Sequence, residues 1–567
     1  MKRHTLFSVL GVLVIASLAL AACGAPATTE APAPTEPPPP APTEEVMAPF
    51  EAMAPLVGTC DNGSTVAQVA AVDRYTAEFT LCGPDAAFLS KIAFTVFGIY
   101  PSEWLEATTD PGARLDHSIG TGPYAVDEWV RGESLTLQSF PDYWGEAPLA
   151  DTLVLRWSTE SAARLLELQA GTVDGIDNVA PTDFEVVEGD ANLQLVVRPA
   201  LNVFYIGMTN TFPPFDDVKV RQAIAMGIDR QRIVDTFYPA GSEVASHFTP
   251  CAIPNGCDGD PWYDFDPEAA RALLAEAGFA DGFATKLFYR DVVRGYLPQV
   301  AQVATEIQAQ LKDNLNIDAT IEVQESGTFI ANANSGALDG LHLLGWGADY
   351  PHVTNFLDFH FGGSGKQFGN PFPEIYEALA EGAQVSDPTA ATPIYTEANN
   401  AVRELVPMVP IAHGGSATAY LADVTTPQAS PLTSELFAVS SAGGRDTFVF
   451  MQNAEPISLF CADESDGESL RACEQTMEAL YGYEINGTAV HPVLAESCDP
   501  NEDLSVWTCA LRQGVQFHDG TDFDANDVVA SFTAGLDANS PLHVGSAGDW
   551  VYWYGLWGNL IGAPPPG

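Results

Sequence analysis

Basic residues are scarce in this chain of 567 residues, which has 23 lysines and arginines against 75 aspartates and glutamates and a formal net charge of −52. A surface of this sign repels the phosphates of nucleic acids and the anionic headgroups of lipids. The composition therefore argues against a nucleic-acid partner. Two interpretations of the charge stay open: a solvated surface that keeps the protein soluble, and a surface that attracts cationic ligands.

The sequence also lacks the motifs of common hydrolases and metal sites. It has no G-x-S-x-G, no H-E-x-x-H and no C-x-x-C, and its ten histidines are scattered without ligand spacing. The glycine run of "AHGGSATAY" (Ala412–Tyr420) is superficially similar to an oxyanion loop, and we interpret it as structural. These absences predict a protein that is not an enzyme and carries no metal or other cofactor. An exported hydrolase is kept as an alternative.

The first 23 residues predict export. "MKRHTLFSVLGVLVIASLALAAC" has a basic start and an apolar run that is short for a membrane span, as secretory signals do. Its end, "LAAC", resembles the lipobox of bacterial lipoproteins, which implies cleavage before Cys23 and acylation of that thiol. Acyl chains would anchor the protein to a membrane. An ordinary signal peptide with a chance cysteine is the alternative.

Residues 24–55 are predicted to form a linker. Pro, Ala, Thr and Glu dominate "GAPATTEAPAPTEPPPPAPTEEV", which has nothing large and apolar to bury. Such a segment is expected to be an extended, semi-rigid tether. A lipid anchor followed by a tether would place the folded part just outside a membrane.

Eight cysteines follow Cys23, and an even number in an exported chain favours disulfides. They fall into four local pairs along the sequence: Cys60 with Cys82, Cys251 with Cys257, Cys461 with Cys473, and Cys498 with Cys509. Local pairing is a hypothesis, because sequence alone does not give connectivity. A metal site is the competing interpretation, although zinc spacing is absent.

Alternating strand and helix signals from Leu201 onwards predict an α/β fold with mostly parallel sheets. "FDPEAARALLAEAGF" is typical of a capped helix, with Asp266 at the N-cap and Pro267 at the first helical position. "DFDANDVVASF" predicts a second helix, capped near Asp524. A third is expected in "STESAARLLELQAG", capped by Ser158 or Thr159. Its buried stripe would be formed by Ala162, Leu165, Leu166 and Leu168.

Several segments together resemble the extracytoplasmic solute-binding proteins of bacterial ABC importers, specifically family 5, the peptide/nickel class. They are "GTGPYAVDEWVRGESLTLQSFPDYWG", "LELQAGTVDGIDNV", "FPPFDDVKVRQAIAMGIDRQRIV", "YDFDPEAARALLAEAGF", "GWGADYPHVTNFL" and "HPVLAESC…WTCALRQGVQFHDGTDFDANDVVASF". The resemblance implies a type II periplasmic-binding-protein fold. It also implies a monomeric receptor that hands peptides or similar small solutes to permease subunits, either in the periplasm or lipid-anchored at the outer face of the cell membrane.

The order of these segments departs from the usual family order. The segment that begins at about Asp446 stands first in the usual chain and last here, which we interpret as a circular permutation. The old termini would be joined through Ser441–Arg445, and the new termini would open between Trp557 and Cys60. Two fused fragments or an error in gene prediction are the alternatives.

The resemblance also implies two lobes that close on a ligand like a hinged clamp. The first lobe would be discontinuous, formed by residues 56–199 and 415–560, and the second would span residues 200–414. The binding cleft would then be assembled from both ends of the sequence.

Asp349, in "GWGADYPHVTNFL", is the sharpest candidate for the binding site. In peptide-binding relatives, the aspartate after this Gly-Trp strand pairs with the α-ammonium of the ligand, and a buried cation needs such a partner. A turn or capping role is the alternative. Trp346 and Tyr350 are candidate apolar walls, or core residues. Asn355 is either a ligand contact or a helix cap.

The ligand class stays open at the sequence level. Relatives often carry an acidic residue and proline where this chain has "PHV", and we expect His352 to be an exposed loop residue. No arginine clearly matches the group that pairs with a peptide's C-terminal carboxylate in some relatives, and Arg290 and Arg294 are the nearest candidates. An oligosaccharide or a metal chelate is therefore the alternative to a peptide.

The loop "CADESDGESLRACE" (Cys461–Glu474) borders the ligand in the family. A disulfide between Cys461 and Cys473 would rigidify it and lower the entropy cost of binding. Its acids Asp463, Glu464 and Asp466 either meet a cation or stay solvated, and the solvated loop is the expectation.

Overall fold

The computed structural model describes residues 49–563 except 291–293, 364, 434 and 546–549. The chain separates into a segment Met1–Pro49 and a compact unit Phe50–Gly567, and the description below concerns the second. The signal peptide, Cys23 and almost all of the linker lie outside the described residues. No helix among the described residues combines the length and the apolar character that a bilayer crossing requires.

The described residues form both strands and helices. The strands are β1 (Leu56–Val57), β2 (Val66–Asp73), β3 (Thr76–Leu81), β4 (Tyr124–Val130), β5 (Ser134–Ser139), β6 (Thr152–Trp157), β7 (Gly175–Ile176), β8 (Leu193–Arg198), β9 (Asn202–Met208), β10 (Glu243–Val244), β11 (Ala284–Arg290), β12 (Asp318–Gln324), β13 (Leu341–Gly347), β14 (Met408–His413), β15 (Ser416–Leu421), β16 (Val424–Thr425), β17 (Ser441–Ala442), β18 (Thr447–Gln452), β19 (Tyr481–Tyr483), β20 (Val490–Pro492), β21 (Ala495–Pro500) and β22 (Val506–Leu511).

The α-helices are α1 (Phe88–Ile92), α2 (Ser102–Ala107), α3 (Pro111–Leu115), α4 (Ser161–Gln169), α5 (Phe184–Glu188), α6 (Val218–Gly227), α7 (Arg230–Phe237), α8 (Pro267–Glu276), α9 (Val300–Leu315), α10 (Ser326–Asn334), α11 (Val353–Phe361), α12 (Pro373–Gly382), α13 (Pro388–Leu405), α14 (Gly467–Thr476), α15 (Ala525–Leu536) and α16 (Val551–Trp557).

A six-stranded sheet is built from one uninterrupted stretch, residues 202–413, which we call the continuous region. Its strand order is β10-β14-β9-β13-β11-β12, with β11 parallel to β12 and β13, and β9 antiparallel to β13 and β14. Helices cover the sheet because its strands are almost wholly apolar; β9 and β13 each bury at least five of their seven residues. The region therefore has a core of its own.

Two further sheets combine strands from both ends of the chain, and we call residues 56–198 and 416–561 the two-ended region. The seven-stranded sheet has the order β4-β5-β6-β18-β7-β15-β8, with β18 parallel to both neighbours. The five-stranded sheet has the order β1-β2-β3-β22-β21, with β22 antiparallel to β3. The late segment thus packs with the early one, as a permuted chain requires. The permutation itself and the exact lobe boundaries stay predictions.

Four buried charges tie the two pieces of the two-ended region together. Arg198 donates to Asp177 and Glu435 at 2.9 and 2.7 Å, and Arg471 donates to the same two carboxylates at 2.7 and 2.8 Å. All four side chains are at most 3% exposed. Because a buried charge needs a partner, this square fixes α14 against β8.

The structure confirms the two predicted aspartate caps and the predicted cysteine pairs. Asp266 and Asp524 are the N-caps of α8 and α15, and Asp524 forms a reciprocal capping box with Asp527. The structure contains four disulfides, and they are the local pairs that the sequence indicated: Cys60–Cys82, Cys251–Cys257, Cys461–Cys473 and Cys498–Cys509.

The prediction for helix α4 is wrong in two respects. The N-cap is Glu160 rather than Ser158 or Thr159, and it makes no capping bond from its side chain. Leu166 is 65% exposed, whereas Arg164 is buried. Arg164 turns inward because three carbonyls, those of Ser158, Asp177 and Asn178, accept its guanidinium protons.

Candidate ligand-binding cleft

Three adjoining cavities of about 610, 940 and 110 Å³ share two wall residues, Asp349 and Tyr552. Asp349 belongs to the continuous region and Tyr552, on α16, to the two-ended region. We call the three cavities together the cleft. Clefts of this size, with apolar walls and a few placed polar groups, are typical of small-ligand sites.

Strand β13 delivers Asp349 to the cleft. Its residues from Leu341 to Gly345 are buried, and after Gly347 the chain leaves the sheet and turns into α11. The N–H of Ala348 still donates to the carbonyl of Leu201, which fixes the exit from the strand. Asp349 therefore lies just beyond the carboxyl end of a central strand, where open α/β sheets bind their ligands.

Asn355 holds Asp349 in place. Its amide Nδ2 donates to Asp349 Oδ2 at 3.0 Å, while its Oδ1 accepts from the Asp349 N–H and from Trp346 Nε1, both at 3.1 Å. Asn355 is itself buried on the first turn of α11. It thus orients the carboxylate and the indole together. It does not cap the helix, since the N-cap of α11 is His352.

The Asp349 carboxylate keeps one oxygen free for a ligand. Among the described residues no donor reaches Oδ1, and no lysine, arginine or histidine forms an ion pair with this side chain. Burial raises the pKa of Asp349 to about 6, although the bond from Asn355 lowers it. A carboxylate short of solvent gains most from a cationic partner.

The other predicted residues also line the cleft. Trp346 stacks on Phe359, with ring centroids 4.1 Å apart, and both rings line the two larger cavities. Tyr350 and Asn355 line the cavity of about 940 Å³, and Tyr350 also packs into the core of the two-ended region. Arg294 lines the cavity of about 610 Å³.

Arg290 stands beside Arg294 in the wall of the same cavity, and its Nη2 lies 3.5 Å from Tyr296 Oη. His352 differs from the expectation. It is half-buried rather than exposed, because its Nδ1 accepts from the Thr354 N–H as the cap of α11. Burial lowers the pKa of His352 to about 4.

The acidic loop also differs from the expectation, since Asp463 and Glu464 are buried and not solvated. Asp463 Oδ1 accepts from the Trp550 N–H at 3.1 Å, and Asp466 caps α14 by accepting from the N–H groups of Glu468 and Ser469. Ser465 lines two of the three cavities, so the loop does border the cleft.

Several wall residues were missed at the sequence level. Tyr552, Thr433, Glu474 and Tyr483 all face the cavity of about 110 Å³ that Asp349 also lines. They come from three separate segments, and no local pattern links them to "GWGADYP". The aromatic cluster at the C-terminus was a hint for Tyr552, but Trp553 and Trp557 beside it are core residues.

A metal-ligand cluster is present elsewhere, within the continuous region. His247, Cys251 and Cys257 offer ligand atoms within 4.8 Å of one another, and they are the one such group among the described residues. The two cysteines are joined in a disulfide, so they offer no thiolate.

Two sheet-built regions around a shared cleft define the class of periplasmic-type binding proteins. The model of "Bacterial extracellular solute-binding proteins, family 5 Middle" matches residues 33–368 and 489–549 of this chain. The chain therefore belongs to family 5 of the bacterial extracellular solute-binding proteins, as the sequence predicted.

Individual relatives agree. The dipeptide-binding protein of Pseudomonas aeruginosa is 31% identical over 364 residues, and that of Escherichia coli K12 is 29% identical over 356; each match covers 61% of this chain and 66% of the relative. Heme-binding protein A of Haemophilus influenzae is 30% identical over 354 residues, which cover 60% of this chain and 63% of that protein. The chain thus spans just under two thirds of the length of these relatives.

Solved structures agree on the fold. HbpA2 from Haemophilus parasuis superposes with a TM-score of 0.61 at 28% identity, covering 65% of this chain and 74% of that one. DppA from Helicobacter pylori, in complex with the peptide STSA, gives a TM-score of 0.51 at 24% identity over 64% and 71% of the two chains. The predicted α/β fold of type II periplasmic binding proteins is confirmed.

The expectation of mostly parallel sheets is wrong: within the described residues only β11 and β18 pair in parallel with their neighbours, and the other strand pairs are antiparallel. Short turns join several consecutive strands, such as β2 with β3 and β4 with β5, and such hairpins make antiparallel pairs.

Proposed function

We propose that this protein is the solute receptor of an ABC importer and that it captures peptides, with Asp349 pairing the ligand's α-ammonium. The observation that carries this proposal is the Asp349 carboxylate itself. It is oriented by Asn355, short of solvent, and open at Oδ1 toward a cleft large enough for a small peptide. Relatives that are dipeptide-binding proteins support the ligand class.

The cleft suits closure by hinged lobes. Its walls come from both regions, with Trp346 and Asp349 on one side and Tyr552 and Thr433 on the other. A ligand that touches both sides favours the closed state by the difference between its contacts in the two states. The chain passes between the regions near Leu201 and Gly414, and we assign the hinge to these crossings between the proposed lobes, residues 56–199 with 415–560 and residues 200–414.

The same proposal places the receptor at a membrane. Signal cleavage before Cys23 and acylation of its thiol would anchor the protein, and residues 24–55 would tether it. The folded part would then work as a monomer outside the cell membrane, beside its permease subunits. The family membership and the lipobox support this placement.

Calorimetry on the purified chain tests the central contact. Dipeptides are expected to bind, and Asp349→Asn is expected to weaken them about tenfold or more, because a hydrogen bond to a charged group contributes about 1.5–3 kcal/mol. N-acetylated dipeptides, which lack the ammonium, should bind the native protein as weakly as dipeptides bind the variant.

Asp339→Asn is the matched control, since Asp339 precedes the same strand at its other end and forms an exposed ion pair with Lys286. It should leave the affinity unchanged. Equal affinity of Asp349→Asn and the native protein for dipeptides would reject the assignment, as would undiminished binding of the acetylated peptides.

A further inference from the structure

Asp349 is not the only carboxylate in the cleft. Glu474, on α14, lines the same cavity of about 110 Å³, and Thr95, Tyr483 and Tyr552 also contribute to its wall. The charges of both carboxylates contribute to raising the pKa of Tyr483, so the tyrosine lies near both acids. A single small ligand can therefore reach both acids at once.

The cleft continues beyond Glu474. A further cavity of about 210 Å³ shares Thr95, Glu474 and Tyr483 with the first, and aromatic rings form much of its wall, notably those of Tyr143 and Trp144. Aromatic faces attract cations, most strongly where solvent is excluded. A side-chain cation at Glu474 would therefore lie beside a cavity walled by these rings.

Glu474 is held in a fixed position, but its carboxylate forms no ion pair within the described residues. Asp466 caps its helix, and the neighbouring Cys473 is fixed by the disulfide to Cys461. Among the described residues no cation forms an ion pair with Glu474. Glu478, one turn further along the chain, is different: Thr121 Oγ1, Tyr143 Oη and Trp144 Nε1 all donate to it at 2.7–2.8 Å. Glu478 therefore serves the structure, and Glu474 is left for a ligand.

Thr95 gives an independent sign of an unfilled site. It is 6% exposed, it lines both small cavities, and within the described part of the chain no hydrogen bond of ordinary geometry reaches its Oγ1. Burial raises the pKa of Glu474 to about 7, although the nearby Thr95 hydroxyl lowers it. A buried hydroxyl without a partner is uncommon and is satisfied by a donor or acceptor that enters the cavity.

We infer that Glu474, with Thr95 beside it, forms a second cation subsite, so that the preferred solutes are peptides with a basic side chain. The ligand's α-ammonium would pair with Asp349 and its side-chain cation with Glu474, with the rings of Tyr483 and Tyr552 beside the apolar stem. This inference rests on the proposed function and narrows its ligand class. The net charge of −52 favours the approach of such cations.

Calorimetry with matched dipeptides tests the subsite. Lysine-containing dipeptides, in both residue orders, are compared with the same dipeptides carrying norleucine, which keeps the stem and removes the charge. The native chain is expected to prefer lysine at least tenfold in one order. Glu474→Gln should abolish this preference while leaving the norleucine affinity unchanged, which also shows that the variant is folded.

Glu484→Gln is the matched control, since Glu484 is a nearby exposed acid, and it should keep the preference. A native chain that binds dipeptides without preferring lysine, or a Glu474→Gln variant that keeps the preference, overturns the subsite and leaves the proposed function standing. Failure of every dipeptide to bind overturns both. Binding of 1,5-diaminopentane without any lysine dipeptide would show a diamine receptor and overturn the peptide class.

Discussion

The continuous region and the two-ended region assemble their cores differently. Every strand of the six-stranded sheet comes from residues 202–413, whereas the other two large sheets each combine strands from the two ends of the chain. Three of the four disulfides lie in the two-ended region, but each links cysteines at most 22 residues apart and none joins its two pieces. Among the described residues, strand pairing, packing, hydrogen bonds and ion pairs connect those pieces.

This difference shows what a changed segment order demands of the fold. The continuous region can form from neighbouring sequence, but the two-ended region must bring β18 between β6 and β7, and β22 against β3. The square of Arg198, Asp177, Glu435 and Arg471 takes two residues from each piece. We propose that the order is a circular permutation and that these long-range contacts preserve the sheet despite it.

The largest effect is expected from breaking the charge square. Arg471→Ala leaves Asp177 and Glu435 buried with a single arginine, and removing one partner of a buried pair costs about 3–5 kcal/mol. Urea unfolding followed by tryptophan fluorescence should report this loss. Eight of the ten tryptophans lie in the two-ended region: Trp104, Trp129, Trp144, Trp157, Trp507, Trp550, Trp553 and Trp557.

The control for this prediction is Lys286→Ala in the continuous region. Lys286 pairs with Asp339 at 2.9 Å, but the two side chains are 40% and 50% exposed. Solvent screens such pairs, so the change in unfolding free energy should be much smaller than for Arg471→Ala. Comparable losses for the two variants would show that the buried square does not hold the region together.

The success of prediction from the sequence depends on whether a feature is fixed by local or by long-range contacts. Features fixed by a few neighbouring residues were predictable, such as the Asp266 and Asp524 caps, the buried strand before Asp349, and the short-range cysteine pairs. Each rests on a helix terminus, an apolar run or a loop closure, and those act locally.

Features fixed by long-range packing were not predictable. Glu474 meets the cavity of Asp349 because α14 is clamped by Arg471, a contact between distant segments. Arg164 replaces Leu166 in the buried face of α4 because carbonyls outside the helix accept its protons. Arg471 and Arg164 are both buried where acceptors from other segments satisfy their hydrogen bonds. The periodicity of the sequence does not indicate such burial.

The two regions should also respond oppositely to acid. His342, in β13, is fully buried, neither ring nitrogen forms a hydrogen bond with a described residue, and burial lowers its pKa to about 4. Between about pH 6.5 and 4 the unfolded chain binds the proton that the folded chain does not, so the continuous region loses stability as pH falls. Glu464 and Asp527, in the two-ended region, behave oppositely, because burial raises their pKa to about 7. Between about pH 7 and 4 the folded chain binds their protons and the unfolded chain does not, so these groups add stability as pH falls.

Between pH 6.5 and 5 the native chain should lose about 2 kcal/mol of unfolding free energy through His342, at about 1.36 kcal/mol per pH unit. His342→Leu should remove this loss. Hydrogen exchange of peptides from β9 and β13 at the two pH values measures this. His117→Leu, at an exposed histidine of the two-ended region, is the control variant for the same measurement. An unchanged pH dependence in His342→Leu would show that this histidine is protonated in the folded state.

The smallest expected effect separates the regions most sharply, because it applies one physical change to each. Asp524 caps α15 in the two-ended region and Asp266 caps α8 in the continuous region, both by accepting from backbone N–H groups of the first turn. Replacement of either by alanine should cost about 1 kcal/mol, and replacement by asparagine much less.

If the regions unfold separately, Asp524→Ala shifts the tryptophan transition, whereas Asp266→Ala shows only in the hydrogen exchange of α8. Equal shifts of the tryptophan transition by both variants would mean that the two regions unfold as one cooperative unit. The order of the chain segments would then set only the route of assembly and not the stability of the parts.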